Sequence, residues 1–363
     1  MTEKNGSTPT DAPGSLVLSV EDLQIYFYSR RGVGKAVDGV SLDLYRGQTL
    51  GVVGESGSGK SVTAAALVGL LPKPAARILG GRILFNGEDL TDKSNDQWRA
   101  YRGKHIAMIL QDPLSALNPV FTIGNQVYEP LKLHKRLSGT PLKQRAIELL
   151  RLMRIPAAAD RLNSYPHQFS GGMRQRVVGA IGLAGEPEVL IADEPTTALD
   201  VTAQAAYIRL LKDVQRRTNL AMLFITHDFG IVGDVCDRVA VMYAGRVVET
   251  ASTRSIFHAP SHPYTKALLR SVPDLKKGAD RLVSIPGAPP SIYGQPAGCR
   301  FHPRCWLYDQ LGQPERCRTD VPALSSVAES HTAACHFTDE AMRREIQVED
   351  RARPVVSPAT DDA

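Results

Sequence analysis

Apolar and polar residues alternate through residues 16–50, most clearly in Leu16-Val-Leu-Ser-Val and Val40-Ser-Leu-Asp-Leu. Period two predicts half-buried strands. Leu50-Gly-Val-Val then runs into Gly54, a buried strand ending in a Gly-rich turn, and residues 61–71 read as a helix stopped by Pro72. Arg82-Ile-Leu-Phe followed by Asn86-Gly87 reads as a strand and turn. From about residue 112 to 170 the pattern becomes helical with Pro and Gly breaks, and residues 144–153 are amphipathic. Val189-Leu-Ile-Ala and Met222-Leu-Phe-Ile are wholly apolar, as central parallel strands are. Such strands alternating with helices imply an open α/β sheet. Beyond about residue 255 the chain turns Pro-rich, with Cys and His and few periodic segments.

Composition narrows the class. A chain of 363 residues with 43% apolar content holds one large α/β domain and a smaller one. Its formal charge of +5 comes from scattered Lys and Arg, which argues for a solvated surface and against nucleic acid as a partner. No apolar run approaches the roughly 20 residues of a membrane helix, so a soluble, cytosolic chain is expected. The polar N-terminus reads as a tail over residues 1–15 and not as a signal peptide. The remaining boundaries fall at 16–255 for the main domain, 256–340 for a small loop-rich domain and 341–363 for a second tail.

Chemistry enters at Gly54-Glu55-Ser56-Gly57-Ser58-Gly59-Lys60-Ser61, between a predicted strand and a predicted helix. That context makes it a phosphate-binding loop. The glycines let backbone N–H groups face phosphates, and the helix N-terminus adds its positive end. Lys60 is placed to reach the β- and γ-phosphates, and the Ser61 hydroxyl to ligate Mg²⁺. The strand at 189–192 ends in Asp193-Glu194. In α/β sheets ligands lie at the carboxyl ends of strands, so Asp193 is a candidate for Mg²⁺ and Glu194 a candidate general base for an attacking water.

Phe169-Ser170-Gly171-Gly172-Met173-Arg174-Gln175-Arg176 resembles the signature motif of ABC-transporter ATPases, and it ends 17 residues before Asp193 (193 − 176). Gln111 resembles the Q-loop glutamine, Ala198-Leu199-Asp200 the D-loop and His227 the switch histidine. Phe27 falls where that family stacks an aromatic on adenine, with Tyr26 and Tyr28 as neighbouring alternatives. Two positions depart from the common pattern: Met173 for Gln and Phe27 for Tyr. The resemblance covers roughly residues 16–340. It implies a P-loop ATPase with an antiparallel β subdomain, a helical subdomain at about 112–175, and ATP and Mg²⁺ as cofactors. Gln111 would sense Mg²⁺ and water beside Ser61 and Asp193, and His227 would contact the γ-phosphate. Ser170, Gly171 and Gly172 would serve the nucleotide of an opposite subunit, and Asp200 would join the two subunits.

Longer stretches, Gln111-Asp-Pro-Leu-Ser-Ala-Leu-Asn-Pro119 and Ser261-His-Pro-Tyr-Thr-Lys-Ala-Leu-Leu269, are similar to ATPase subunits of bacterial dipeptide and oligopeptide importers. The Phe-Ser-Gly-Gly-Met version looks like the first of their two ATPases. That resemblance implies a different partner ATPase in a heterodimer, two membrane permeases and an extracytoplasmic solute-binding protein, with the chain held at the cytoplasmic face of the membrane. Import of nickel or another small solute uses related machinery. A non-transport ABC-type ATPase is the alternative class, but long coiled-coil insertions and tandem cassettes are both missing from the sequence.

Cys299, Cys305, Cys317 and Cys335 are spaced Cys-x5-Cys-x11-Cys-x17-Cys, without the close Cys-x-x-Cys knuckle common in zinc sites. In a reducing compartment clustered cysteines point to metal or redox chemistry. Four thiolates on irregular loops suit a [4Fe–4S] cluster at least as well as Zn²⁺, and a chain without metal is the third reading. The resemblance to importer subunits implies the cluster. Cys236 lies in an apolar stretch and reads as core. His302, His331 and His336 read as loop or surface residues rather than ligands.

Overall fold

The computed structural model describes residues 14–110, 112–197, 199–271 and 285–346. The two expected tails, except residues 14–15 and 341–346, and Gln111 lie outside the described residues. Two sheets organise the fold. The first is antiparallel, in the order β2-β1-β4-β5, with β1 Leu16–Ser29, β2 Gly32–Tyr45, β4 Ala76–Phe85 and β5 Glu88–Asp89. The predicted Asn86-Gly87 turn joins β4 to β5, with φ of 47° and 82°, a region that asparagine and glycine tolerate.

The second sheet runs β11-β12-β10-β9-β3-β8-β7-β6. Its parallel part holds β6 Ile106–Ile109, β7 Val189–Asp193, β8 Ala221–Thr226, β3 Thr49–Val53 and β9 Arg238–Tyr243. Every residue of β3, β7 and β8 is buried, which is why these strands read as unbroken apolar runs. The expected helical stretch contains helices Ile123–Lys135 and Gly139–Leu152, followed by Gly171–Leu183.

The C-terminal segment is less separate than its composition suggests. Antiparallel strands β10 Arg246–Ser252, β12 His331–Ala333 and β11 Ser325–Ala328 continue the second sheet. Phe301, Leu307 and Tyr308 pack in the same apolar cluster as Phe224 and Val241 of the central strands. The seam is polar and centres on a buried carboxylate. Glu249 on β10 is 0% exposed and accepts from the backbone N–H of Ser261 (2.7 Å) and His262 (3.0 Å), with His331 Nε2 at 2.7 Å. His331, expected at the surface, is therefore a buried partner of Glu249, because an edge strand joining the sheet needs its inward charge satisfied.

Asp38 of β2 ties three parts together. Tyr26 of β1 donates to it at 2.6 Å, Arg246 of β10 at 2.9 Å, and Arg300 of the C-terminal segment also donates. Burial opposes its ionisation, but the bonds from Tyr26 and Arg246 and the charges of Arg300 and Arg246 outweigh burial and bring its pKa down to about 2. Replacing it with asparagine strands the buried Arg300 guanidinium without a counter-charge. Asp38→Asn is expected to lower unfolding stability by about 3 kcal/mol, read from the urea midpoint; an unchanged midpoint would show that the network contributes nothing.

Candidate functional site

The site grows from the carboxyl ends of β3, β7 and β8. Val53 is level with Thr226 and Asp193 with Ile225, so Gly54, Glu194 and His227 leave the sheet along one edge. The loop from Gly54 to Gly59 needs its glycines. A Cβ at Gly59, where φ is 103°, would lie 2.6 Å from the Ala36 carbonyl oxygen. At Gly54, with φ 155°, it would lie 2.2 Å from that of Met242. Helix Lys60–Leu67 starts directly after the loop. Lys60 Nζ curls over it and donates to the carbonyls of Gly54 (2.7 Å) and Glu55 (2.9 Å). Burial lowers the Lys60 pKa, countered by Glu194, Asp193 and Glu55.

Ser61 Oγ donates to Asp193 Oδ1 at 3.1 Å, so the two candidate Mg²⁺ ligands meet. Burial raises the Asp193 pKa, with Ser61 opposing and Glu194 adding to the rise. Glu194 has a left-handed backbone, φ 45°, which turns its side chain away from the strand line. His227 Nδ1 lies 3.3 Å from its Oε1, and Thr197 Oγ1 donates to its Oε2 at 3.1 Å.

A cleft of about 920 Å³ collects Phe27, the loop from Glu55 through Ser61, Glu194 and His227. Phe27 is the aromatic that faces it. Tyr26 is committed to Asp38, and Tyr28 lies under the Arg77 guanidinium at 4.9 Å. Ser170, Gly171 and Gly172 are not among the cleft's lining residues. They open a helix, where the Ser170 side chain caps Gly171–Leu183 by accepting from Met173 N–H. Asp200 caps helix Val201–Thr218, accepting from Ala203 N–H at 2.9 Å.

The sequence reading missed a wall of the cleft. Leu268, Pro289 and Ile292, all from the C-terminal segment, line it. Ile292 is held in place by its carbonyl, which accepts from Lys35 N–H at 2.9 Å, and its side chain occupies the space that a Cβ on Gly34 would need. Two more residues of that segment reach the phosphate loop itself. Tyr264 Oη accepts from Glu55 N–H at 2.9 Å, and Arg304 grips the Glu55 carboxylate with bonds of 2.7 and 2.9 Å.

Cys299, Cys305, Cys317 and Cys335 line one small cavity of about 20 Å³, walled by Phe301, Leu307, Tyr308, Leu311 and Phe337. Burial pushes the thiols of Cys299 and Cys335 up to about 11 and 12, and those of Cys305 and Cys317 up as well. Backbone N–H groups turn toward three of the sulfurs: Phe301 and His302 toward Cys299, Tyr308 and Leu307 toward Cys305, and Phe337 toward Cys335. His302 and His336 also line the cavity, but each is bonded to a backbone carbonyl, of Cys299 and Asp320 respectively. Among the described residues no three His, Cys, Asp or Glu side chains converge on a point that would hold a single metal ion. Cys236 is core, packed against Gly51.

Residues 37–197 match the family model described as ABC transporter, and residues 248–310 match the one described as oligopeptide/dipeptide transporter, C-terminal region. In solved structures, the fold is similar to a dimeric ATP-binding cassette in a post-hydrolysis state bound to ADP and phosphate. The TM-score is 0.59 and the identity 26%, covering 65% of this chain and 99% of that one. The chain belongs to the ABC transporter ATP-binding family and is an ATPase subunit of that transporter class. Within the family it is similar along nearly its whole length to the dipeptide transport ATP-binding protein DppD of Bacillus subtilis, at 47% identity over 327 residues, 89% of this chain and 95% of that one. The DppD protein of Escherichia coli is 45% identical over 321 residues, 88% of this chain and 96% of that one. Among the described residues no helix is long and apolar enough to cross a membrane.

Gly59→Ala tests the loop geometry. A methyl group there collides with backbone, so affinity for a fluorescent ATP analogue should fall at least about tenfold, and the strain should also lower the melting temperature by a few degrees. Wild-type affinity would mean that the loop does not hold the nucleotide in this shape.

Proposed function

We propose that this chain energises uptake of dipeptides or oligopeptides. It would work beneath two permease subunits at the cytoplasmic face of the membrane, paired with a second, different ATPase subunit and served by an extracytoplasmic solute-binding protein. The observation that carries this reading is the match of residues 248–310 to the oligopeptide/dipeptide C-terminal region, on a chain alike end to end with dipeptide transport subunits.

In the proposed mechanism, loop N–H groups and Lys60 hold the β- and γ-phosphates, moving Lys60 Nζ off the carbonyls it now caps. Ser61 and Asp193, already in contact, would hold Mg²⁺, with Gln111 as the third ligand that the family resemblance implies. Mg²⁺ neutralises charge on the phosphates when bound. Glu194 orients a water and takes its proton as the water oxygen attacks the γ-phosphorus. The bond to the β,γ-bridging oxygen breaks, leaving ADP and phosphate. His227, within reach of Glu194, fixes the carboxylate and faces the γ-phosphate. Phe27 stacks on adenine. Ser170, Gly171 and Gly172, which do not line this cleft, would serve the partner's nucleotide, as the family resemblance implies, and the partner's signature would complete this one, with Asp200 at the junction. Closure of the pair on ATP and its release after hydrolysis would drive the permeases.

The Glu194→Gln variant should bind ATP as wild type does and turn it over about a hundredfold or more slowly in the reconstituted transporter. Unchanged turnover would remove Glu194 as the base.

For the cysteine cavity we propose a [4Fe–4S] cluster held by Cys299, Cys305, Cys317 and Cys335. Four soft thiols on one cavity with apolar walls, three of them met by N–H groups, suit such a cluster. Zn²⁺ is the alternative, and the spacing lacks the close Cys-x-x-Cys knuckle common in zinc sites. The cluster would supply cross-links between loops, and binding would draw protons off the four thiols. Anaerobically purified protein should contain about four iron atoms per chain and absorb near 400 nm. Stoichiometric zinc, or no metal, would reject the cluster.

A further inference from the structure

The phosphate loop carries an acid. Glu55 is its second residue, and its carboxylate sits in a cradle built for a polyanion. Left alone, that charge would repel the phosphates. The structure does not leave it alone. Arg304 Nη1 and Nη2 donate to Oε2 and Oε1 at 2.7 and 2.9 Å, a two-pronged pair. The Arg304 side chain is only 6% exposed. Its remaining donors are spent as well: Nε on the Pro286 carbonyl at 2.8 Å, Nη2 on that of Gly287 at 3.2 Å and Nη1 on Tyr243 Oη at 3.3 Å. A guanidinium with every nitrogen engaged has little freedom to turn, so it holds Glu55 in one place. The backbone of the same residue is held by Tyr264 Oη, which accepts from its N–H at 2.9 Å.

We propose that Arg304 is a positioning residue of the nucleotide site: it neutralises and anchors Glu55, so that the phosphate loop keeps its shape and sets no unpaired Glu55 carboxylate against the phosphates. This rests on reading residues 54–61 as the nucleotide site. It goes beyond that reading by making the C-terminal segment part of the ATP-binding machinery. Arg304 directly precedes Cys305, whose sulfur lines the cysteine cavity. Whatever orders that cavity therefore also delivers Arg304 to the loop.

The test is a double-mutant cycle on nucleotide affinity, measured by displacement of a fluorescent ADP analogue with ATP, ADP and adenosine. Arg304→Gln should weaken ATP about tenfold, ADP less, and adenosine less than twofold, because the repulsion grows with the ligand's charge. Adding Glu55→Gln to Arg304→Gln should bring ATP affinity back to within about threefold of wild type, since the charge that needed neutralising is gone. A purely structural role for Arg304 predicts the opposite: equal losses for all three ligands and no rescue. Unchanged affinity in Arg304→Gln, or absent rescue, overturns the proposal. If Arg304→Gln does not fold, Arg304→Lys serves. It keeps the charge but cannot bridge both oxygens, and should weaken ATP by about two- to fourfold; no loss there also overturns the proposal. Lys60→Ala separates the two levels. Full ATP affinity in Lys60→Ala would remove the nucleotide site itself, whereas a loss there with no effect at Arg304 removes only the present inference.

Discussion

Everything at the site depends on the register of β3 against β8, and of β8 against β7. Parallel strands set a common baseline. With Val53 opposite Thr226 and Asp193 opposite Ile225, the residues that follow each strand leave the sheet along the same edge. These strands are buried on both faces, so a one-residue slip would reorder the whole core. The chemical groups therefore need no separate device to bring them together. The Ser61–Asp193 and Glu194–His227 contacts follow from where the strands stop.

The second constraint is electrostatic. A site for a polyanion contains Glu55, Asp193 and Glu194 as well as Lys60. Each acid is answered by a different means. Asp193 shares the Ser61 hydroxyl and is raised in pKa by burial. Glu194 is held by His227 and Thr197. Glu55 is paired with an arginine from 249 residues away in sequence. The last arrangement ties the site to the C-terminal segment, and the segment in turn is tied to the sheet by Glu249, buried and bonded to two backbone N–H groups and His331. Losing either link would leave a charge without a partner in a place of low solvent access, the costliest way to break such a seam.

The parallel sheet and the phosphate loop were legible in the sequence because their physics is local: wholly apolar runs, and glycines before a lysine at a helix start. The joining of the C-terminal segment to the sheet was not. Strands β11 and β12 are four and three residues long, too short for a period to register. Their partner β10 supplies the pattern that they lack. The family pattern pointed to Phe27 but left Tyr26 and Tyr28 as alternatives, and only geometry sets those two aside, because Tyr26 bonds to Asp38 and Tyr28 lies under Arg77. Pro289, Ile292 and Arg304 carry no motif at all. Arg304 stood beside a conspicuous cysteine, but nothing local in a sequence reports a contact with Glu55 across the fold.

That contact bears on why such a segment gathers four cysteines. Between residues 285 and 346 the longest helix has six residues and the longest strand four. Elements that short cannot hold their own positions by helix or sheet formation. Phe301, Cys305, Leu307 and Tyr308 borrow the apolar cluster of the central sheet instead. Borrowed packing fixes the segment's depth better than its angle, because apolar contacts are not directional. Arg304 needs direction, since a two-pronged pair tolerates little rotation. The cluster proposed for the cysteine cavity would cross-link the loops around it and supply that direction, since Cys305 lines the cavity one residue along the chain from the Arg304 guanidinium.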